Sequence, residues 1–176
     1  MRIIIGLGLC CLAAVIGIAR PAKSQTSATA LAHTVRTFEF IAFAPMSRVA
    51  PLFGAARERE WDPQWNPTFV WPDTPSDRAG MVLTVSHGHK NAVWVNTQYD
   101  LEHGRFQYVY VIPDVMATLL TLTLEPREAH TIVTVRYERT ALSPDASPLV
   151  ESMAHHDDTA APEWEQKVNA RLARPS

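Results

Sequence analysis

Residues 149–172 read LVESMAHHDDTAAPEWEQKVNARL, and the spacing within them decides what kind of domain this is. Leu149, Met153, His156, Ala160, Trp164, Val168 and Leu172 recur at intervals of three or four, while Glu151, Asp158, Glu165 and Arg171 fall largely off that stripe. At about 3.6 residues per turn, this is one face of an amphipathic helix of about six or seven turns. Pro162 interrupts it. Proline lacks an amide donor and clashes with the preceding turn, so it either bends the helix or divides it in two. In both readings the apolar stripe needs a surface to pack against.

Upstream, the period changes from helical to alternating, and that surface is supplied. Residues 33–43 carry Val35, Phe38, Phe40, Ile41 and Phe43, a β-branched and aromatic run that reads as a first strand. Further strand candidates lie at 68–71, 81–86, 92–99, 105–112, 117–124 and 131–140. Their separators, Gly88, Gly104, Pro113-Asp114 and residues 125–128, suit tight connections between antiparallel neighbours. Between the first two strands, 46–53 and 55–60 read as short helices or turns limited by Pro51. The tryptophan- and proline-rich stretch Trp61-Asp62-Pro63-Gln64-Trp65-Asn66-Pro67 follows, and then a turn-rich connection over 72–80. The expectation is an α+β domain: a curved seven-stranded antiparallel sheet wrapped around a long C-terminal helix, spanning 33–176.

Alternation also sorts faces. Leu120, Leu122 and Leu124 form an interior set, and Val133, Val135 and Tyr137 are the more apolar set of the last strand against Thr134, Arg136 and Glu138. Tyr108, Tyr110 and Ile112 share one face of their strand against Val109 and Val111, and Trp94, Asn96 and Gln98 share one face of theirs, opposed by Val93, Val95, Thr97 and Tyr99; neither face of these two strands is cleanly polar.

The chain opens with Arg2 and an apolar run from 3 to 18, broken by Arg20 and Pro21. That run is short for a membrane span, and Ala22-Lys23-Ser24 places small residues at −3 and −1 of a cleavage after Ser24. Residues 1–24 therefore read as a signal peptide and 25–32 as a flexible tether, which implies a periplasmic or secreted protein; a retained anchor is the alternative. Cleavage removes Arg2, Arg20 and Lys23, so 16 basic residues fall to 13 against 18 acidic ones and the net charge becomes −5 with histidines neutral. Such a surface argues against nucleic acid and against a polybasic grip on anionic membranes. Both cysteines, Cys10 and Cys11, leave with the signal, and with them disulfide and thiolate chemistry. About 152 residues remain, enough for one substantial domain, and no stable membrane insertion is expected of them. Nothing in the sequence sets an oligomeric state.

The order of strand, two short helical segments, six-stranded meander and terminal helix resembles the helix-grip fold of the START-like (SRPBCC) superfamily, which includes birch-pollen-allergen-like carriers and the polyketide cyclase/dehydrase group. The resemblance covers roughly 33–173 and ends in Trp164-Glu165-Gln166-Lys167-Val168-Asn169. Pro51-Leu52-Phe53-Gly54, Trp61-Asp62-Pro63 and Trp65-Asn66-Pro67 look like the local patterns of a bacterial branch. Composition alone supports a buried core. The resemblance implies more: an apolar cavity between sheet and helix, lined by Trp94, Asn96, Tyr108, Tyr110, Met153, His156, Ala160 and Trp164, with no cofactor. It is a poor guide to chemistry, because fold and activity separate in this superfamily.

Direct signs of catalysis are sparse. No glycine-rich phosphate loop, nucleophile elbow or zinc-protease motif occurs. His87-Gly88-His89 offers two imidazoles in a turn but no third ligand set by spacing, so no metal is expected. Asp62, before Pro63, reads as a turn cap or as part of a cavity mouth. His156 falls on the apolar stripe and His155 about 100° away, so one imidazole is expected inside. It is either a satisfied core histidine, a polar handle about 12 Å along the helix from Trp164, or a general acid or base. The leading functional reading is extracytoplasmic carriage of a small hydrophobic molecule. A cyclase- or dehydratase-like lyase acting on a polyketide-like or aromatic substrate is the alternative, and an envelope protein-interaction module without a ligand is a third.

Overall fold

The alternating runs pair as one sheet. The structure is a computed structural model and describes residues 30–175; the signal peptide read over 1–24, and residues 25–29 beyond it, lie outside the described residues. Seven strands, β1 (His33–Ala42), β2 (Thr68–Trp71), β3 (Val82–His87), β4 (Lys90–Asp100), β5 (Arg105–Ile112), β6 (Met116–Arg127) and β7 (His130–Ala141), are all antiparallel. Their order is β1-β7-β6-β5-β4-β3-β2. Strands β2 to β7 form a meander, and the return of β7 alongside β1 joins the two ends of the domain. The β3–β4 hairpin closes through Gly88 and His89, with Gly88 at φ +62°. The exposed His87 and His89 sit in this turn. Among the described residues no three histidine, cysteine or acidic side chains converge as metal ligands.

The apolar sets of β6 and β7 point inward as alternation suggests, Leu120, Leu122 and Leu124 and then Val133 and Val135 being buried, and of the two apolar faces of β5 the one that carries Tyr108, Tyr110 and Ile112 is buried. Strand β4 departs from the sequence reading. Its register against β5 shifts between Asn96 and Gln98. A bulge inserts one residue and reverses the alternation beyond it. Gln98 is therefore exposed, and Tyr99 turns in to pack edge-on against Phe106 at 5.2 Å.

The C-terminal stripe is divided between two helices, α2 (Ser147–Asp157) and α3 (Ala161–Leu172), the second of the two readings that Pro162 leaves open. Pro162 lies in the first turn of α3, where its missing amide costs no helical hydrogen bond. In α3 the stripe runs as read, through Trp164, Val168 and Leu172. In α2 it is displaced by one residue. Val150, Ala154 and Asp157 are buried, while Leu149 and His156 are exposed and Met153 is half-buried. Burial of Asp157 is possible because Arg139 of β7 meets it with two guanidinium nitrogens, Nη1 to Oδ2 and Nη2 to Oδ1 at 3.2 Å.

Before β2, residues 46–60 form α1 (Met46–Val49) and two turns of 3₁₀ helix, Ala50–Phe53 and Glu58–Glu60. They close one end of the sheet. Helix α3 lies against β1 and satisfies its outer edge, since Glu165 accepts the Ile41 amide at 3.0 Å and Asn169 bridges the Phe43 amide and the Ile41 carbonyl, each at 2.8 Å. Ala32 is already tied down, its amide donating to Ser147 Oγ at 3.1 Å and its carbonyl accepting from Ala141. Among the described residues, no helix is long and apolar enough to cross a membrane.

Candidate functional site

The aromatic residues of three separate regions meet at one place. From the 53–65 segment come Phe53, Trp61 and Trp65; from the concave face of the sheet come Trp94, Tyr108 and Tyr137; from α3 comes Trp164. Together with Ala55, Leu120, Leu122 and Glu58 they enclose a cavity of about 30 Å³. Such a volume holds about one or two waters, far below the several hundred Å³ of an ordinary ligand pocket. The rings stand mostly edge to face. Trp65 meets Trp94 at 5.3 Å, Trp61 meets Trp164 at 5.1 Å, and Trp94 stacks flat on Tyr110 at 4.0 Å.

The 53–65 segment is held by its own backbone carbonyls. Trp61 Nε1 donates to Leu52 O at 2.8 Å, Trp65 Nε1 to Ala55 O at 2.7 Å, and Tyr108 Oη to Phe53 O at 2.8 Å. Asp77 tightens it further by accepting the Ala56 amide at 2.9 Å, and any side chain at Gly54 would collide with that carboxylate. Asp62 accepts the Gln64 amide within its own turn and pairs with Lys167 of α3 at 3.4 Å. It thus caps the turn and staples it to the helix, both at the rim of the site.

Of the eight residues expected to line a cavity, Trp94, Tyr108 and Trp164 do so. Asn96 and Tyr110 lie beside it on the same face of the sheet, paired across the strands with Tyr108 and Trp94 respectively. Ala160 is buried in the main core cluster without reaching the cavity wall, and Met153 packs on the second apolar cluster around Ile112, Met116 and Val150. His156 is corrected outright: it faces solvent, because the buried register of α2 runs through Asp157.

Glu58 is the residue that sequence reading missed. In the Glu58-Arg59-Glu60 run it reads as part of a solvated face, yet it is the one acidic side chain on the cavity wall and makes no side-chain hydrogen bond or ion pair among the described residues. Arg57 and Arg171 both go to Glu60, and Lys167 goes to Asp62 and Glu163. Burial pushes the Glu58 carboxyl up to about 8, with the negative charges of Asp62 and Asp77 adding to the shift. Tyr108 is likewise held well above the usual phenol range, by burial first and by Glu58 second.

In the unfolded chain Glu58 ionises near 4.5, and in the fold it keeps its proton to about 8. Between those values the folded state holds the extra proton, so this group's contribution to stability declines as pH rises through that window and then levels. Glu58→Gln should abolish that slope. The variant is expected to gain on the parent by on the order of 2–3 kcal/mol between pH 5 and 8.5, after discount for the residue's partial exposure. Urea unfolding at both pH values checks this, and equal slopes for both proteins would refute it.

A second kind of polar group faces the same interior. Trp94 Nε1, both amide atoms of Asn96, Thr118 Oγ1 and Arg139 Nε are buried with no hydrogen-bond partner among the described residues. The register places them on two adjacent rows of the sheet: Trp94, Tyr110, Thr118 and Arg139 in one, Asn96, Tyr108, Leu120 and Tyr137 in the next. A buried polar atom left without any partner costs about 1–3 kcal/mol, so these groups are the ones that a water or a ligand's polar atom would satisfy.

No protein-family model and no curated protein matches the sequence. Solved structures do match in fold. Truncated norcoclaurine synthase from Thalictrum flavum superposes with a TM-score of 0.62 at 11% identity, over 85% of this chain and 99% of that one. Ara h 8.0201 gives 0.59 at 11% identity, over 81% and 100%. A protein from Thermobifida fusca, solved by NMR, gives 0.56 at 20% identity, over 82% and 97%. With its curved antiparallel sheet closed by C-terminal helices, the chain has the helix-grip fold, shared with norcoclaurine synthase and Ara h 8.0201.

Proposed function

We propose that this protein binds and carries a small hydrophobic, ring-bearing molecule outside the cytoplasm, between the concave face of the sheet and α3. The supporting observation is the meeting of seven aromatic side chains from three regions around one internal cavity. A packed core needs no such concentration of rings at a polar belt. Because the closed cavity is only about 30 Å³, binding requires the 53–65 segment to move from the sheet, and the work of opening reduces the apparent affinity. The extracytoplasmic part rests on the signal peptide read over 1–24.

Native mass spectrometry of protein taken from the extracytoplasmic fraction, followed by solvent extraction, tests both parts. The expected result is an N-terminus at or within a few residues of Gln25 and a retained apolar mass released by solvent. A full-length N-terminus in the membrane fraction would refute the location. Protein that is repeatedly empty, and whose tryptophan fluorescence no small aromatic compound saturably changes, would refute carriage.

A lyase reading is supported by one observation, the Glu58 carboxyl on the cavity wall, whose proton is exchangeable near neutral pH. Turnover that loses its basic pH limb in Glu58→Gln would favour it over simple carriage. His156 carries neither reading, since it faces solvent.

A further inference from the structure

The wall of the cavity is chemically lopsided. It has seven aromatic side chains and one carboxyl group, and no lysine, arginine or histidine. Three cations near its rim already have anionic partners, Arg57 and Arg171 on Glu60 and Lys167 on Asp62 and Glu163, and the neighbouring Arg59 is exposed and makes no ion pair with Glu58. The charged and titratable groups that face Glu58 are Asp62 from its own loop, Asp77 from the β2–β3 connection, Tyr108 from β5 and Tyr137 from β7. All are acidic or neutral. The one buried cation nearby, Arg139 over the Tyr137 ring, is already paired with Asp157, so Glu58 has no positive partner, and indole and phenol rings, whose faces attract cations, surround the place for one.

We propose that the cavity takes the cationic head of an organic amine or quaternary ammonium compound, with Glu58 as its counter-charge and the rings of Trp61, Trp65, Trp94, Tyr137 and Trp164 as its aromatic wall. The proposal rests on the carriage reading and narrows it to one ligand class. Rings alone would favour any flat apolar molecule. The unpaired carboxyl changes that preference, since a neutral ligand leaves it buried without a partner, whereas a cation is paired with it and shielded from water. Trp61 and Trp65 are committed to backbone carbonyls, whereas Trp94 Nε1 has no hydrogen-bond partner among the described residues and is free to donate to a polar atom of an occupant.

The proposal also sets the pH dependence. A permanent cation binds the ionised form of Glu58, and the free protein holds that carboxyl protonated up to about 8. Affinity should therefore rise by about tenfold per pH unit from pH 6 towards 8 and level above it, with one proton released on binding. A neutral ligand of the same shape should show no such rise, and should weaken as the carboxyl ionises beside it.

The test uses benzyltrimethylammonium and its neutral isostere neopentylbenzene, titrated into the mature protein between pH 6 and 9.5 and read by tryptophan fluorescence. The quaternary nitrogen does not titrate, so any slope belongs to the protein. The expected result is a preference for the cation of about tenfold or more at pH 9, a rise in its affinity between pH 6 and 8, and loss of both in Glu58→Gln with neopentylbenzene binding retained. Equal or tighter binding of neopentylbenzene by the parent protein at pH 9, or a flat profile for the cation, would overturn the proposal. Both of these measurements are made on the parent protein and need no variant to fold. Binding of the neutral compound alone would leave the carriage reading intact, whereas binding of neither would overturn both.

Discussion

Asp157→Ala is expected to lower folding stability by about 3–5 kcal/mol, while His156→Ala, one residue earlier, changes it by no more than about 0.5 kcal/mol. The contrast follows from the register of α2. Arg139 and Asp157 are each 3% exposed, and the Arg139 guanidinium lies over the Tyr137 ring at 4.0 Å. Two of its nitrogens bond to Asp157, and its Nε has no partner among the described residues. Removing the carboxylate leaves a buried cation whose desolvation nothing offsets. The paired replacement Arg139→Met with Asp157→Leu should restore most of the loss, because the penalty lies in the unpaired charge. Urea unfolding of the four proteins measures all of this. A loss below about 1 kcal/mol for Asp157→Ala would show that the pair does not hold α2 to the sheet.

Trp164→Ala should cost about 3 kcal/mol and at the same time admit ligands that the parent excludes. The indole packs edge-on against Phe38 at 5.5 Å and Phe40 at 6.2 Å, and lies tilted against Trp61 at 5.1 Å. It is half-buried, which places the cost at the lower end of the range for deleting a large packed ring. The same ring forms the α3 side of a cavity of about 30 Å³, so its truncation joins the space of the indole to that cavity. Benzene-sized probes should then bind the variant more tightly than the parent, as saturable changes in the remaining tryptophan fluorescence. Weaker binding of every probe by a folded Trp164→Ala protein would mean that the ring is a contact surface rather than a stopper.

The strands were legible because each carries its own alternation. Leu120, Leu122, Val133 and Val135 are buried where a period of two puts them, and a local pattern suffices for that, whereas both faces of the Tyr108–Tyr110 strand are apolar and alternation alone does not choose between them. The bulge in β4 was not legible, since a residue inserted against one neighbour is a property of the pair, and Thr97 looks ordinary in its own strand. The α2 register was half legible. Continuing the β7 alternation from Val133, Val135 and Tyr137 already points Arg139 inward, and a helical stripe through Val150, Ala154 and Asp157 runs on to Trp164 without a break in spacing. Reading an aspartate as outward hid that stripe, because its burial makes sense only with Arg139 opposite.

By itself the sequence determined an antiparallel α+β domain, all seven strands and the inward face of Trp164, because periodicity and turn chemistry act over a few residues at a time, while the helix-grip class and the interior placing of Trp94 and Tyr108 came from the resemblance. Only the tertiary structure decided which acidic groups are drawn away from solvent, Asp157 fully and Glu58 in part, and to what end. Asp157 and Glu58 have neighbours in sequence that look alike, but one folds against a guanidinium and the other against a wall of rings with no cation beside it. Whether a carboxylate is a structural ion or a proton-holding acid depends on solvent and charges brought to it from distant strands, and those are absent from any local pattern.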